Sequence, residues 1–210
     1  MNPLIRIWSD PRGTISDLTK SRPLYLFYPL AVIYGIVWNL NKIFQRGINP
    51  SRGVGKYEIL SINIVVGAIF GIVSIFIASY LLSWIGRLFG GLASPKNIRT
   101  VLAWSAAPQI PLLFVILILA VVGPSDFLLR DGGGLFFAAG ESPWVFGVLL
   151  YIGLGTVVGI LWCVINVVGL SEVQGFTIGK SVVSLLLVGL IVFGASLGVE
   201  RLFAQFVAGT

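Results

Sequence analysis

Five stretches of this chain, 24–41, 59–86, 100–125, 142–171 and 181–199, contain no lysine, arginine, aspartate or glutamate. A helix needs about 20 apolar residues to cross the ~30 Å of hydrocarbon in a bilayer, and these runs match or exceed that length. They are too long for transmembrane β-strands, and the alternation of a barrel is missing. Inside hydrocarbon the backbone must satisfy its own hydrogen bonds, so the helix is the remaining solution. The chain therefore reads as all-α: a polytopic membrane helical bundle of five transmembrane helices over residues 24–210. An amphipathic cytosolic tail with short interfacial helices, 1–23, precedes it. The composition agrees, since 57% hydrophobic and 10% charged residues leave too little polar surface for a soluble domain of 210 residues.

Five passes put the termini on opposite sides. Arg6, Arg12, Lys20, Arg22, Arg87, Lys96, Arg99 and Lys180 then share one side. Lys42, Arg46, Arg52, Lys56, Arg130 and Arg201 share the other. Eight against six favours a cytoplasmic N-terminus and a C-terminus on the opposite side. The tail carries no apolar run long enough for a signal peptide, so the first span is expected to be its own insertion signal.

Within the tail, Asp10 can cap a helix whose first residue is Pro11. Ile15 and Leu18 then share one face, and Leu4, Ile5 and Trp8 another in a shorter segment before it. With Arg6, Arg12, Lys20 and Arg22 around them, these helices suit anionic lipid headgroups; packing on the cytoplasmic end of the bundle is the alternative. The net charge of +6 sits in short loops beside apolar runs, which points to lipid and topology rather than nucleic acid.

The residue types exclude most chemistry. There is no histidine, and Cys163 is the single cysteine, so no catalytic, cofactor or metal site is expected. Apart from tyrosine and cysteine the spans hold nothing ionisable, which argues against a proton relay. Glu172, with Gln174 and Lys180 close by, is the best candidate for a functional carboxylate. It has no second carboxylate nearby for acid–base work, and pairing with Lys180 or an interfacial arginine accounts for it more simply. The string "RDGGGLFFAAG" at 130–140 lacks the order of a phosphate loop and reads as a loop whose Leu135, Phe136 and Phe137 dip into the interface.

Polar residues within the spans carry the remaining signal. Asn63, Gln109 and Asn166, with Asn39 and Asn41 near a span end, are either interhelical glue or a pathway for a solute or lipid. Glycines recur four apart at Gly67/Gly71, Gly86/Gly90, Gly155/Gly159 and Gly194/Gly198. Such pairs serve packing within the bundle or a homo-oligomer face. The third run, "VLAWSAAPQIPLLF", contains Trp104, Ser105, Pro108, Gln109 and Pro111. Pro108 removes an amide donor and should kink the helix, Gln109 could satisfy the freed carbonyl, and Pro111 should extend the irregularity. Such a break is tolerated only when covered by protein or beside water, so this span should be internal.

The order of three segments resembles the Yip-domain family of Ypt/Rab-interacting membrane proteins, in its prokaryotic form. "NPLIRIWSDPRGTI" at 2–15 is similar to the family's Asn-Pro opening and Ser-Pro-Arg-x-Thr element, with Asp10 in place of serine. "GGLASPKNIRTVLAWSAAP" resembles its glycine turn, polar helix start and aromatic–serine stretch closing on proline. "GLSEVQGFTIGKS" resembles the link between its last two spans. The resemblance implies five helices, a cytosolic N-terminus and a role in membrane organisation or partner recruitment. The eukaryotic Asp-Leu-Tyr-Gly-Pro element is absent, which speaks against binding a Rab-type GTPase. The expected function is thus a non-enzymatic adaptor or organiser, with a homo-oligomer or another membrane protein as partner. The alternative is a carrier or channel for lipid or a neutral solute around the broken third span.

Overall fold

A computed structural model describes residues 2–46, 55–123 and 145–208. Among these the chain forms helices and no strand: α1 (Pro3–Ser9), α2 (Pro11–Ser21), α3 (Phe27–Arg46), α4 (Lys56–Leu88), α5 (Pro95–Trp104), α6 (Gln109–Val122), α7 (Val145–Gln174) and α8 (Ile178–Ala208). The glycine-rich string at 130–140 lies outside the described residues.

Helices α4 and α7 are each long and apolar enough to cross a membrane. A third crossing is available if α5 and α6, bent by 52° at their junction, act as one broken span. Helix α3 is 20 residues long but diluted by Pro29, Asn39, Asn41, Lys42, Gln45 and Arg46, and the apolar part described for α8 is Ile178–Val192. The outward face of α4 is built for hydrocarbon: Ile62, Val66, Ile69, Val73 and Ile77 are all exposed. A contiguous apolar surface of that size marks a membrane-facing side.

The core divides along the bundle. At one end Ile7, Ile15 and Leu18 of the tail pack with Phe27, Leu30, Val101, Trp104 and Ile165. In the other half Leu40, Phe44, Leu112, Ile116 and Val158 form a second cluster. A third joins Leu82, Ile85, Ile98 and Leu170 to Val188 of α8. Helices α3 and α4 approach so closely that glycine is required. A Cβ on Gly35 would lie 1.9 Å from the Gly67 carbonyl oxygen, and one on Gly71 2.0 Å from that of Ala31. The Gly67/Gly71 pair therefore serves packing within the bundle.

The tail folds as its caps dictate. Asn2 caps α1 through the Leu4 amide, and Asp10 accepts from the Gly13 amide at 2.9 Å with Pro11 at the first helical position. The buried residue of α1 is Ile7, with Leu4 partly buried against the same cluster, whereas Ile5 and Trp8 of the expected face point outward. Leu4 and Ile7, three positions apart, lie on the side of this two-turn helix that meets the core.

Candidate functional site

The centre of the molecule is the junction of α5 and α6. Helix α5 begins with Ser94 as cap and Pro95 as first residue, a strong start signal. It ends at Trp104, because Pro108 offers no amide to continue the ladder. Across the break the amides of Ala106, Ala107, Gln109 and Ile110 each turn back to the carbonyl three residues earlier, at 2.9–3.2 Å. Ser105 donates its hydroxyl to the Leu102 carbonyl at 2.7 Å. These short turn bonds close the kink: the Trp104 carbonyl, which Pro108 cannot serve, accepts from the Ala107 amide at 3.1 Å with no bond needed from Gln109. Its Oε1 is buried without a hydrogen-bond partner among the described residues.

Pro111 likewise departs from expectation. It is the third residue of α6, within the first turn, where the helix needs no amide donor. It therefore starts the second half of the span and does not prolong the break. Residues 103–109 are all buried, so the break is covered by protein as anticipated.

Over this junction sits the connection from the tail to α3. Leu24 and Leu26 adopt left-handed backbone conformations, with φ of 68° and 54°. Such conformations are uncommon for leucine and persist only when the surroundings enforce them. Here the Leu24 amide donates to the Thr100 hydroxyl at 3.3 Å, and the indole of fully buried Trp104 donates to the Tyr25 carbonyl at 3.0 Å. The Tyr25 ring stacks on the indole with centroids 6.3 Å apart.

The tail's charges are organised rather than free. Arg6 bridges Asp10, at 2.8 Å, and Asp17. The Gly13 amide, and then Arg6, hold the Asp10 carboxyl below its ordinary range; Asp10 and then Asp17 push Arg6 up. Arg12 pairs with Glu172 at 3.2 Å, tying α2 to the end of α7. Glu172 therefore has the interfacial arginine that its sequence setting suggested, while Lys180 donates instead to the Phe89 carbonyl at 3.1 Å. Lys20 and Arg22 are exposed and form no ion pair among the described residues.

The remaining polar residues separate. Asn39 donates to the Asn63 carbonyl and Oδ1 at 2.9 and 3.0 Å, joining α3 to α4 as glue. Asn166 donates to the Trp162 carbonyl of its own helix, and its Oδ1 lacks a partner among the described residues. Ser105 and Asn166 border one cavity of about 420 Å³, which Asn63 and Gln109 do not line.

Sequence reasoning missed two residues that hold the bundle together, one at each end. Gln174 accepts from the Ala93 amide at 3.3 Å and donates to the Leu82 carbonyl at 3.1 Å. Its amide fills the space beside Gly86 and Gly91, where a Cβ would come within 2.3 Å of it. At the far end, Lys56 donates to the Val121 and Gly123 carbonyls and so caps the C-terminus of α6. The signal for Gln174 was the pairing of a glycine turn with a buried amide, legible only once both were neighbours.

Apolar outer faces around a covered, broken span define an α-helical integral membrane protein. A model of the Yip1 domain matches residues 5–199, and the chain belongs to that family. No curated protein and no solved structure matches it significantly.

Proposed function

We propose that this protein is a non-enzymatic, five-pass organiser or adaptor whose tail-bearing end faces the cytoplasm. The observation that carries the reading is the docking of α1 and α2 onto the bundle through Trp104, Arg12–Glu172 and Ile7, Ile15 and Leu18. Docking turns an otherwise loose tail into a rigid platform. That platform exposes Ile5, Trp8, Lys20 and Arg22, and the same end of the bundle carries Arg87, Lys96 and Leu92, the last 92% exposed. Apolar and basic side chains together suit anionic headgroups or the surface of a membrane partner.

Photo-crosslinking in native membranes tests this. Crosslinkers at Trp8 and Leu92 should capture a recurring protein or anionic lipid, and one at Phe114, on the apolar face of α6, should capture bulk lipid. The same bulk-lipid products at all three positions would overturn the platform. The five-pass topology is tested with cysteines at Ser16, Ser51 and Ser94 in a Cys163→Ala background. Ser16 and Ser94 should react with an impermeant maleimide from the cytoplasmic side and Ser51 from the other; Ser51 and Ser94 reacting from one side excludes five passes.

Carriage of a lipid or neutral solute is the second reading, favoured by the cavity beside Ser105 and Asn166. Asn63 and Gln109 lie outside that cavity, which weighs against a continuous pathway. Flux in proteoliposomes that disappears in Asn166→Leu, with unchanged thermal stability, would favour carriage over the adaptor.

A further inference from the structure

The cavity between α3, α4, α5, α7 and α8 has about 420 Å³ of space, within the ~300–1,000 Å³ of small-molecule sites. Its wall changes character along the bundle. Ser105 and Asn166 border it on the side of the tail, and Trp38, Phe70 and Val192 line it farther from that end. Asn166 lies eight residues before Gln174, so its amide sits about 12 Å along α7 from that end. Ile77, Val73 and Val192, on the rim formed by α4 and α8, are exposed, so the cavity opens sideways toward lipid.

Asn166 is 1% exposed, and its Nδ2 is engaged by Trp162 while its Oδ1 has no partner among the described residues. A buried acceptor in an apolar setting is costly unless something donates to it. Of the wall's hydroxyls, Ser105 and Ser74 already donate to their own helices, and that of Tyr34 makes no hydrogen bond to Asn166. A lone water could serve Asn166 Oδ1 but would leave the long apolar part of the cavity unfilled. An elongated apolar molecule with one hydroxyl at its end meets both requirements: its hydroxyl donates to Asn166 Oδ1 and its body lies along Trp38 and Phe70. We infer that the cavity is a binding site for a neutral lipid alcohol, held laterally with its hydroxyl below the headgroup level. The site is a place of residence and stands independently of the tail platform.

The test uses the full chain in lipid nanodiscs with two probes, octadecanol bearing a mid-chain diazirine and its O-methyl ether. The alcohol should label peptides containing Trp38 or Phe70 saturably, about three- to tenfold more than the ether, as expected for one hydrogen bond. Asn166→Leu should abolish that preference. Gly189→Phe gives a second, independent variant: Gly189 lines the cavity, and a Cβ there meets nothing within 4 Å. It should fold and block labelling while leaving Asn166 in place. Equal labelling by alcohol and ether in the wild type, or labelling that survives Gly189→Phe, would overturn the site. A wild-type dimer that Gly189→Phe converts to a monomer would assign the groove to a second copy and overturn it equally.

Discussion

The indole nitrogen of Trp104, at the last residue of α5, donates to the carbonyl oxygen of Tyr25, 79 positions earlier in the chain. With the bond from the Leu24 amide to Thr100, it joins the broken span to the strained turn that links tail and bundle. The indole is fully buried and Tyr25 is 41% exposed, so removing the donor costs the bond and leaves a part-buried carbonyl only partly rehydrated. Trp104→Phe should therefore lower stability in detergent by about 1–3 kcal/mol. Trp104→Ala, which also empties a core position, should cost about 3–5 kcal/mol. Both should speed tryptic cleavage after Lys20, the cleavable bond beside the turn since Arg22 precedes a proline, read by timed proteolysis; unchanged cleavage would detach the turn from the indole.

Arg12 and Glu172 should couple in a double-mutant cycle. The pair is partly exposed, so a coupling of about 0.2–1 kcal/mol in thermal unfolding is expected. The charge-swapped double variant, Arg12→Glu with Glu172→Arg, should restore tail docking that each single reversal weakens. A fluorophore at Ser16 in a Cys163→Ala background reports docking directly.

Tail docking should respond to acid through Asp10. Its carboxyl is held below the ordinary value of 3.8, first by the Gly13 amide and then by Arg6. A carboxylate with a depressed folded value contributes stability that is complete above the unfolded value and lost as pH falls through the folded one. The Asp10 contribution to docking should thus be constant at neutral and mildly acidic pH and fall away only below 3.8, as the difference between wild type and Asp10→Asn in the Ser16 fluorophore signal reports. Asp10→Asn keeps a capping oxygen but not the charge facing Arg6. It should weaken docking at neutral pH and shrink the acid transition.

Glycines that look alike in sequence should behave differently. Gly35→Ala and Gly71→Ala would drive a Cβ into backbone atoms and should cost at least about 1–3 kcal/mol in thermal unfolding. Gly155→Ala and Gly159→Ala meet nothing within 4 Å and should leave the isolated chain's stability unchanged or slightly higher. Destabilisation at Gly155 or Gly159 in membranes, absent in dilute detergent, would show that this face packs against a partner.

Local chemistry was legible where one segment decides its own shape. The Asp10–Pro11 and Ser94–Pro95 helix starts, the break ahead of Pro108 and the shared face of Ile15 and Leu18 all follow from neighbouring residues. The role given to Gln109 did not follow, because the turn bonds of residues 106–110 satisfy the backbone without it. Nor did the burial of Ile7, since two turns are too few for periodicity to decide which apolar residue faces inward.

By itself the sequence determined a helical membrane protein, because uncharged runs of this length leave the backbone no other way to satisfy its hydrogen bonds. Tertiary structure alone decided the partners: Arg12 for Glu172, Tyr25 for Trp104, Gly91 for Gln174, and the cavity for Asn166. The reason is physical. A span is set by the sum of its own residues' transfer energies, whereas a partner is set by which two distant surfaces come together when the helices pack.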